Sequence, residues 1–568
     1  MNRLRGPPAP VPRHQGVAAM LSAAARHPSG VTFVGLREEE TRLSWAEVDA
    51  RARRAAGVLV ARGVRAGDRV AIVLRTEPAF LDAFFGALHA GAVPVPLYPP
   101  VRLGRMDEYV EATARMLRVS GARALITSGG VARVIGRAVA AAGPGLDLGV
   151  VDASGLGEGP LASVPRAGGD LALVQFSSGS TVDPKPVALC HAALVAQVDS
   201  LVVLVKPTAG DVLVSWLPLY HDMGLIGCLL GAVSYPGPLV LIPPEHFLAR
   251  PALWLRAVAR HRGTISAAPH FAYAFAADRV QDADLAGLSL ASWRIALDGA
   301  EPVTTGALLR FAERFAPVGL DPGALMPVYG LSEAALAVTF SPPGRPPRVE
   351  GGAVSVGLPI PGVEVEVRGE DGVALPERRP GRIHVRGPSL MQGYLGDAAA
   401  TALALREGWL DTGDLGFHAG GELFVRGRAK DVVIVRGANH APEEFEACLG
   451  AVEGLRPGCA VALGFVPEGG DGEELLLLAE RARAFRGDPA ALVEAVREAV
   501  SSRSGVRPHT VRILEPGTLP RTSSGKMRRG EALRRFQAGK LLPPRKVNVL
   551  SLVREVLAGR LARARARR

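Results

Sequence analysis

The chain is poor in cysteine and in long apolar runs, and both shortages limit what it can be. No apolar stretch is long enough to span a bilayer, and no apolar core follows the first fifteen residues, so neither a transmembrane segment nor a secretory signal is predicted. The few cysteines show no close metal-ligand spacing. Their small number also makes a disulfide framework improbable. They are Cys190, Cys228, Cys448 and Cys459. We therefore expect a protein of the reducing cytoplasm.

Lysine is equally scarce, with six lysines among the 66 basic residues. Since arginine is used wherever a generic positive charge suffices, each lysine calls for an explanation. The lysine ammonium is a compact point charge on a flexible stem, which a planar guanidinium cannot replace. Lys185, Lys430 and Lys526 fall inside the motifs described below, whereas Lys206, Lys540 and Lys546 do not.

The net charge of +11 would suit a nucleic-acid-binding protein, but its distribution argues otherwise. Residues 554–568 contain six arginines and one glutamate and so contribute +5 of this charge. Charge runs of this kind are usually solvated surface segments. We therefore expect a basic tail over residues 546–568 and no nucleic-acid partner.

The order of apolar runs predicts an α/β fold with more than one domain. A chain of 568 residues is too long for a single core. Short apolar runs alternate with helical patterns over most of the chain, which predicts largely parallel sheets. After residue 363 the runs lack long helices between them and indicate a β-rich module. We predict a large N-terminal domain of α/β subdomains plus this module (1–429), then a small, mobile α+β domain (430–545).

The segment 171–187 reads LALVQFSSGSTVDPKPV, an apolar run that leads into hydroxyl residues, a glycine and Lys185. Backbone N–H groups, hydroxyls and an ammonium group together can hold phosphate. The Gly-Lys-Ser/Thr ending of a Walker loop is absent. A serine-rich turn by itself is usually only a turn, so the phosphate interpretation depends on the motifs that follow.

Six further strings carry side chains suited to chemistry, although each alone has an ordinary structural explanation. Glu333 offers the carboxylate that Mg²⁺ prefers, Asp414 can accept hydrogen bonds from two hydroxyls, and the glycine of DGAEP permits close backbone approach to a flat ring. The apolar stretch 225–233 suits a buried helix or a tunnel wall equally. The strings are SWLPLYHDMG (215–224), DGAEP (298–302), VYGLSE (328–333), WLDTGD (409–414), GRAKD (427–431) and LPRTSSGKMRR (519–529).

In this order the motifs resemble the adenylate-forming superfamily, and most closely its fatty acyl-AMP ligases and long-chain acyl-CoA synthetases. The resemblance covers nearly the whole chain. It implies catalytic roles for Lys526, Glu333 and His221, Mg²⁺ at Glu333 and a hinge at Lys430. It also implies that ATP is bound by Ser177, Ser178, Gly179, Ser180, Thr181, Lys185, Gly299, Ala300, Glu301, Tyr329, Gly330, Ser332, Asp414 and Arg428.

Two positions of the phosphate loop depart from the family pattern. Val182 and Pro186 stand where the family generally has glycine. Neither residue takes a positive φ as glycine does, so a stiffer loop is expected.

The resemblance implies ATP-dependent activation of a fatty acid to acyl-AMP with release of pyrophosphate. The strings 215–224 and 328–333 favour subsequent transfer to the phosphopantetheine thiol of a carrier protein, which must come in trans. The segment 337–357 is short and rich in proline and glycine, so an insertion found in many such ligases is reduced or missing. That shortness favours CoA as acceptor. A non-catalytic nucleotide or acyl binder is the alternative of another class.

Overall fold

A computed structural model of the chain describes residues 2–100, 105–177, 184–435, 438–467, 472–522 and 526–544. The predicted phosphate-loop residues Ser178, Gly179, Ser180 and Thr181 lie outside this part of the chain, as do Val182 and the tail 546–568.

The helices begin and end at recognisable local signals. For example, Ser44 caps the second helix and exchanges hydrogen bonds with Glu47 in a capping box. None of the helices among the described residues is long and apolar enough to cross a membrane. The α-helices are α1 Val17–Ala24, α2 Trp45–Ala61, α3 Pro78–His89, α4 Met106–Ser120, α5 Gly129–Ala142, α6 His191–Val205, α7 Gly231–Ser234, α8 Pro244–Ala249, α9 Ala252–Arg260, α10 His270–Arg279, α11 Asp282–Leu285, α12 Thr305–Phe315, α13 Ala398–Ala404, α14 Pro442–Ala447, α15 Pro489–Ser504 and α16 Arg529–Gln537.

The strands are β1 Arg3–Arg5, β2 Gly30–Val34, β3 Glu40–Ser44, β4 Arg69–Val73, β5 Val93–Pro96, β6 Ala124–Thr127, β7 Gly149–Asp152, β8 Leu171–Phe176, β9 Pro186–Cys190, β10 Leu213–Ser215, β11 Leu239–Leu241, β12 Ile265–Pro269, β13 Ile295–Gly299, β14 Leu325–Gly330, β15 Ala337–Phe340, β16 Val349–Glu350, β17 Ala353–Val354, β18 Leu358–Pro359, β19 Glu364–Arg368, β20 Gly381–Arg386, β21 Gly393–Tyr394, β22 Leu405–Arg406, β23 Trp409–Ala419, β24 Glu422–Arg428, β25 Val433–Val435, β26 Ala438–His440, β27 Leu455–Phe465, β28 Glu474–Arg481 and β29 Thr510–Leu514.

The largest sheet has nine strands in the order β18-β15-β14-β13-β12-β10-β11-β2-β3. Its six central strands, β14 to β2, are parallel, and the outer strands pair antiparallel. A second sheet, β5-β4-β6-β7, is parallel throughout. The predicted α/β class with largely parallel sheets is therefore confirmed. Because β12, β13 and β14 are parallel, their last residues, Pro269, Gly299 and Gly330, lie at one edge of the large sheet.

The β-rich module predicted after residue 363 is an antiparallel sheet in the order β1-β19-β20-β23-β22, with β24 paired to β23. Its first strand comes from the opposite end of the sequence, since Arg3–Arg5 pairs with β19. The ion pair between Arg3 and Glu366 holds this terminal strand in place. The sequence did not predict this closure, because a three-residue run carries too little periodicity.

One segment differs from its sequence-based interpretation. The stretch 225–233 is not one regular helix, because a π-helix over Met223–Leu230 continues directly into α7. π-helical turns are rare and frequently mark functional sites.

The small C-terminal unit has its own cores. The sheet β27-β28-β29 packs against α15 and α14 on one side and against α16 on the other. The third strand, β29, is parallel to β28 and was not predicted. Leu477 is fully buried in the cluster that joins this sheet to α15. The arrangement supports a small α+β domain after the β-rich module.

We expect Leu477→Ala to lower the free energy of unfolding of this C-terminal unit by about 2–5 kcal/mol, as cavity-forming substitutions do. Denaturant unfolding followed by circular dichroism measures the effect. Val466→Ala is the control, since Val466 is 58% exposed and should change stability by less than about 0.5 kcal/mol. Equal stability of the two variants would contradict the assigned core.

Candidate active site

A cavity of about 980 Å³ opens at the carboxyl edge of the nine-stranded sheet. It is lined by residues up to 349 positions apart in the sequence, from Ser177 to Lys526. The fold therefore brings together most of the residues that the motifs singled out. Those that line the cavity are Ser177, Lys185, His221, Ala300, Tyr329, Gly330, Ser332, Glu333, Arg428, Lys430 and Lys526.

The two ends of the phosphate segment are fixed by a β-hairpin. β8 and β9 pair antiparallel, so that the chain leaves β8 at Ser177 and returns at Lys185. The Ser177 N–H donates to the Lys185 carbonyl oxygen at 2.9 Å, and the Lys185 N–H donates to Ser177 Oγ at 3.1 Å. These bonds close the base of the loop and hold Lys185 at the cavity wall.

Glu333 is tied to Lys185 through an aromatic ring. The Tyr394 hydroxyl donates to Glu333 Oε1 at 2.9 Å, and the Lys185 ammonium lies 4.4 Å from the centre of the Tyr394 ring. Such a cation–π contact holds an ammonium group without neutralising it. Burial raises the pKa of Glu333. A buried carboxylate of this kind is stabilised by a cation, so Glu333 has the chemistry of a metal ligand.

Asp222 is a buried carboxylate that organises another part of the cavity wall. His221 Nδ1 lies 2.6 Å from Asp222 Oδ1, and the Ser332 hydroxyl donates to Asp222 Oδ2. Burial opposes ionisation of Asp222, but His221, Ser332 and Lys526 outweigh it and lower its pKa. Asp222 is therefore a carboxylate, and it fixes the orientation of the imidazole. His221 Nε2 is buried and has no hydrogen-bond partner among the described residues.

A third group lies where β14, β23 and β24 meet. The Tyr329 hydroxyl donates to Asp414 Oδ2 at 2.6 Å, and Arg428 Nε lies 2.8 Å from Asp414 Oδ1. Asp414 and Arg428 face each other in the β23–β24 ladder, which sets their distance. Asp414 thus holds both the ring of Tyr329 and the guanidinium of Arg428 at the cavity.

Lys526 enters the cavity from the C-terminal unit. Burial lowers its pKa, although the carboxylates of Glu301 and Asp222 act in the opposite direction. The Lys526 N–H donates to Thr522 Oγ1 at 3.0 Å. Three residues further on, Arg529 begins α16 and pairs with Glu443 and Glu446, each at 2.8 Å. These ion pairs anchor the segment that carries the lysine.

Contacts with α4 hold the C-terminal unit in this orientation. Arg105 donates to the carbonyl oxygens of Gly517 at 3.2 Å and Thr518 at 2.9 Å. Arg535 on α16 pairs with Glu108 on α4 at 2.7 Å. The exposed pair and the carbonyl contacts together fix the position from which Lys526 reaches the cavity.

Among the predicted residues that the structure describes, three do not line the cavity wall. Gly299 is the last residue of β13, where a Cβ atom would lie 2.7 Å from the side chain of Val328, so glycine allows the strands to pack. Glu301 accepts a hydrogen bond from the Phe271 N–H at 2.9 Å. Asp414 lies behind Tyr329, as described above. The following residue, Ala300, does line the cavity and has a left-handed φ of 66°, a strain that often marks functional sites.

Two groups at the site were missed by the sequence analysis. Tyr394 lies in the string Gly-Tyr-Leu-Gly, which has no distinctive pattern, and its contacts with Glu333 and Lys185 depend on tertiary structure. His270 Nδ1 lies 2.7 Å from the buried Asp298, and His270 Nε2 lies 2.8 Å from Thr304 Oγ1. This second group fixes the turn that contains Ala300. Its only sequence signal is an acidic residue at the end of a predicted strand.

Comparison with known proteins agrees with this geometry. Residues 21–395 match the family described as AMP-binding enzyme. A Caulobacter vibrioides protein provisionally named an acyl-CoA synthetase is 36% identical over 561 residues, which cover 91% of this chain and 95% of that protein. The long-chain-fatty-acid–AMP ligase FadD26 of Mycobacterium marinum is 34% identical over 544 residues, covering 87% of this chain and 91% of the ligase.

A solved structure from a study of fatty acyl-adenylate ligases of E. coli and L. pneumophila has 33% identity and a TM-score of 0.86. The match covers 94% of this chain and 99% of that chain. The chain therefore belongs to the family of AMP-binding enzymes and is an adenylate-forming ligase.

Proposed function

We propose that this enzyme activates a fatty acid with ATP, forming acyl-AMP and releasing pyrophosphate. The observation that carries the proposal is one cavity with two kinds of wall. Ammonium and guanidinium groups of Lys185, Arg428 and Lys526 line it at the sheet edge. An arm with mainly apolar walls continues along the π-helix and α7, and because its carboxylate Asp211 is paired with Arg294 we call it the uncharged arm. The names of the fatty acyl relatives point to the same substrate class.

The nucleotide would lie among the residues at the carboxyl edge. Tyr329 offers a ring for stacking, and Arg428 at the cavity wall, together with Asp414 that pairs with it, would bind the ribose hydroxyls. The loop that begins at Ser177 and ends at Lys185 would hold the phosphates, including Ser178, Gly179, Ser180 and Thr181. The roles of Gly299 and Glu301 would be indirect, through the position of the turn at Ala300.

The residues present fit a magnesium ion bound with the nucleotide. Glu333 is a partly buried residue whose carboxylate has one oxygen bound by the Tyr394 hydroxyl. Magnesium usually takes one or two carboxylates together with substrate phosphates, so Glu333 would hold it. The ion would neutralise phosphate charge, and Tyr394 would keep the carboxylate in place.

The reaction joins a carboxylate oxygen of the acid to the α-phosphorus as the bond to the β-phosphate oxygen breaks. Negative charge grows on the oxygens around the α-phosphorus and on the leaving pyrophosphate. The Lys526 ammonium would stabilise that charge more strongly in the transition state than in the reactants. His221, oriented by Asp222, would contact the reacting carboxylate through Nε2.

The acceptor of the acyl group is proposed to be the phosphopantetheine thiol of a carrier protein supplied in trans, with CoA as the alternative. One relative is named an acyl-CoA synthetase, whereas the name of FadD26, a long-chain-fatty-acid–AMP ligase, specifies no acceptor. The segment 337–357 forms β15 and the short hairpin β16–β17. Ser355, which follows β17, forms an isolated antiparallel β-bridge with Phe424 of β24. A compact hairpin held on the large domain favours CoA, whereas the motif strings favour the carrier.

We propose that the small domain, residues 430–545, swings relative to residues 1–429 between the two steps. Lys430 lies in a 3₁₀ turn, Ala429–Asp431, between β24 and β25. Rotation there would carry Lys526 away from the cavity.

Replacing Lys526 by alanine should lower the rate of acyl-AMP formation by roughly a hundredfold to a thousandfold, as loss of a charge-stabilising donor does. ATP binding should change little, because the large domain supplies most contacts. Pyrophosphate release and ATP titration measure the two effects. Lys540→Ala, a change at an exposed lysine of the same domain, is the control.

The same role predicts a pH dependence. Burial lowers the pKa of Lys526, so the ammonium loses its proton at a lower pH than an ordinary lysine does. The rate of adenylation should therefore decline as the pH rises through the lowered pKa of Lys526. Lys526→Arg should move the decline to higher pH, because a guanidinium keeps its proton.

Near-normal acyl-AMP formation by Lys526→Ala would show that the C-terminal motif is wrongly assigned.

Lys430→Pro should hinder rotation of the small domain, because proline fixes φ. Acyl transfer should then fall more than acyl-AMP formation, whereas Lys430→Ala, which keeps rotation free, should lose far less transfer. Separate assays of pyrophosphate release and thioester formation give the comparison. Equal loss of both steps, or of neither, would remove the basis for a hinge at this residue.

The proposed function is tested by incubating the protein with ATP, Mg²⁺ and a panel of acids. Fatty acids should give acyl-AMP, while free amino acids should not, because an ammonium group would be buried without a partner in the uncharged arm at a cost of several kcal/mol. Adding CoA or a pantetheine-bearing carrier protein then identifies the acceptor. Saturable activation of amino acids without any response to fatty acids would overturn the proposal.

A further inference from the structure

The uncharged arm of the cavity crosses the large sheet instead of stopping beneath the nucleotide site. The candidate site lies at the carboxyl ends of β12, β13 and β14. The cavity lining, however, also includes Ile265 and Leu213, the first residues of β12 and β10. In parallel strands the first residues lie at the opposite edge of the sheet. The arm therefore reaches from the carboxyl edge to the amino edge.

One wall of the arm is the face of the π-helix and α7 that carries Gly227, Gly231 and Tyr235. Gly231 has an ordinary helical φ of −58°, so the backbone does not require glycine there. A Cβ atom built on Gly231 would meet no described atom closer than 3.9 Å, outside its own helical turns and chain neighbours. At Gly227 a Cβ atom would lie 2.9 Å from the Leu336 side chain. The empty space beside Gly231 therefore belongs to the arm of the cavity.

The arm ends at the protein surface. Val202 and Val205 at the end of α6 line it and are partly exposed, as is Tyr235, and Pro238 is exposed. The carboxylate of Asp211 also lines this end, but Arg294 binds both of its oxygens, at 2.9 and 3.0 Å. From Met223 to Tyr235 the helical rise corresponds to at most about 18 Å. The arm is therefore an open channel with an apolar lining.

We propose that Gly231 keeps this channel open, so that the enzyme takes long straight-chain acids whose tails pass beside Gly231 and emerge between α6 and Tyr235. The inference rests on the proposed function and narrows its substrate class. Each methylene that enters the channel adds to binding until the tail reaches solvent. Beyond that length further methylenes add nothing, and no upper limit on chain length is imposed.

The test is kcat/KM for pyrophosphate release over a series of saturated acids. In the unchanged protein the value should rise by up to about fourfold per methylene while the tail is buried. It should then level off rather than fall. Long acids with a terminal hydroxyl should match the plain acids, because their polar end lies in solvent, whereas short hydroxy acids should be poor substrates.

Gly231→Leu places a side chain in the channel. Long acids should then lose roughly tenfold to a hundredfold in kcat/KM, as overpacking predicts, and short acids much less. Val205→Trp narrows the channel at its outer end, which Val205 lines, and should likewise reduce kcat/KM for long acids if the glycine variant fails to fold. Val203→Leu is the matched control, because Val203 lies on α6, is 45% exposed and does not line the cavity. Thermal melting checks that each variant is folded.

The inference is overturned if the unchanged protein already rejects long acids, or if folded Gly231→Leu and Val205→Trp variants keep its chain-length profile. Either result leaves fatty acid activation intact, so the proposed function would survive. Failure of every acid to release pyrophosphate from the unchanged protein would instead overturn the proposed function and the channel with it.

Discussion

The placement of the partly buried Lys526 ammonium at the cavity is the constraint from which much of the site's construction follows. A buried charge is costly unless charged or polar partners surround it. The carboxylates of Asp222 and Glu301 supply that environment from the large domain. Arg529 fixes the segment behind the lysine by pairing with Glu443 and Glu446. The contacts between α4 and the C-terminal unit therefore fix the position of the Lys526 ammonium as well as the packing of the two units.

The carboxylates of the large domain follow the same rule, because each is held by a group from a distant element. Asp222 is bound by Ser332, Asp414 by Tyr329, and Glu333 by Tyr394. Such pairing fixes Asp222 and Glu333 at the cavity wall, while Asp414 holds Tyr329 and Arg428 there. Preorganised groups of this kind stabilise developing charge without having to reorient during a reaction.

The cavity combines this polar end with an apolar channel because the two lie at opposite edges of one parallel sheet. The turns that follow the carboxyl ends of the strands supply polar side chains. Residues within the strands supply the uncharged walls of the channel. The π-helix and α7 complete the channel with small residues where the acyl chain would pass. The same sheet would thus hold both the nucleotide and the acid.

The sequence by itself determined the fold class, the family and several of the charged and polar residues at the cavity, because these are recorded in apolar periodicity and in contiguous motifs. It did not determine that β1 closes the β-rich module, that the stretch 225–233 begins as a π-helix, or that Gly299 serves strand packing. It also missed Tyr394, whose partner Glu333 is 61 residues away. Local patterns specify helices, strands and turns. Only the tertiary structure decided which buried charges meet, because each pairing joins elements that are distant in the chain and is selected by the cost of leaving either group without a partner.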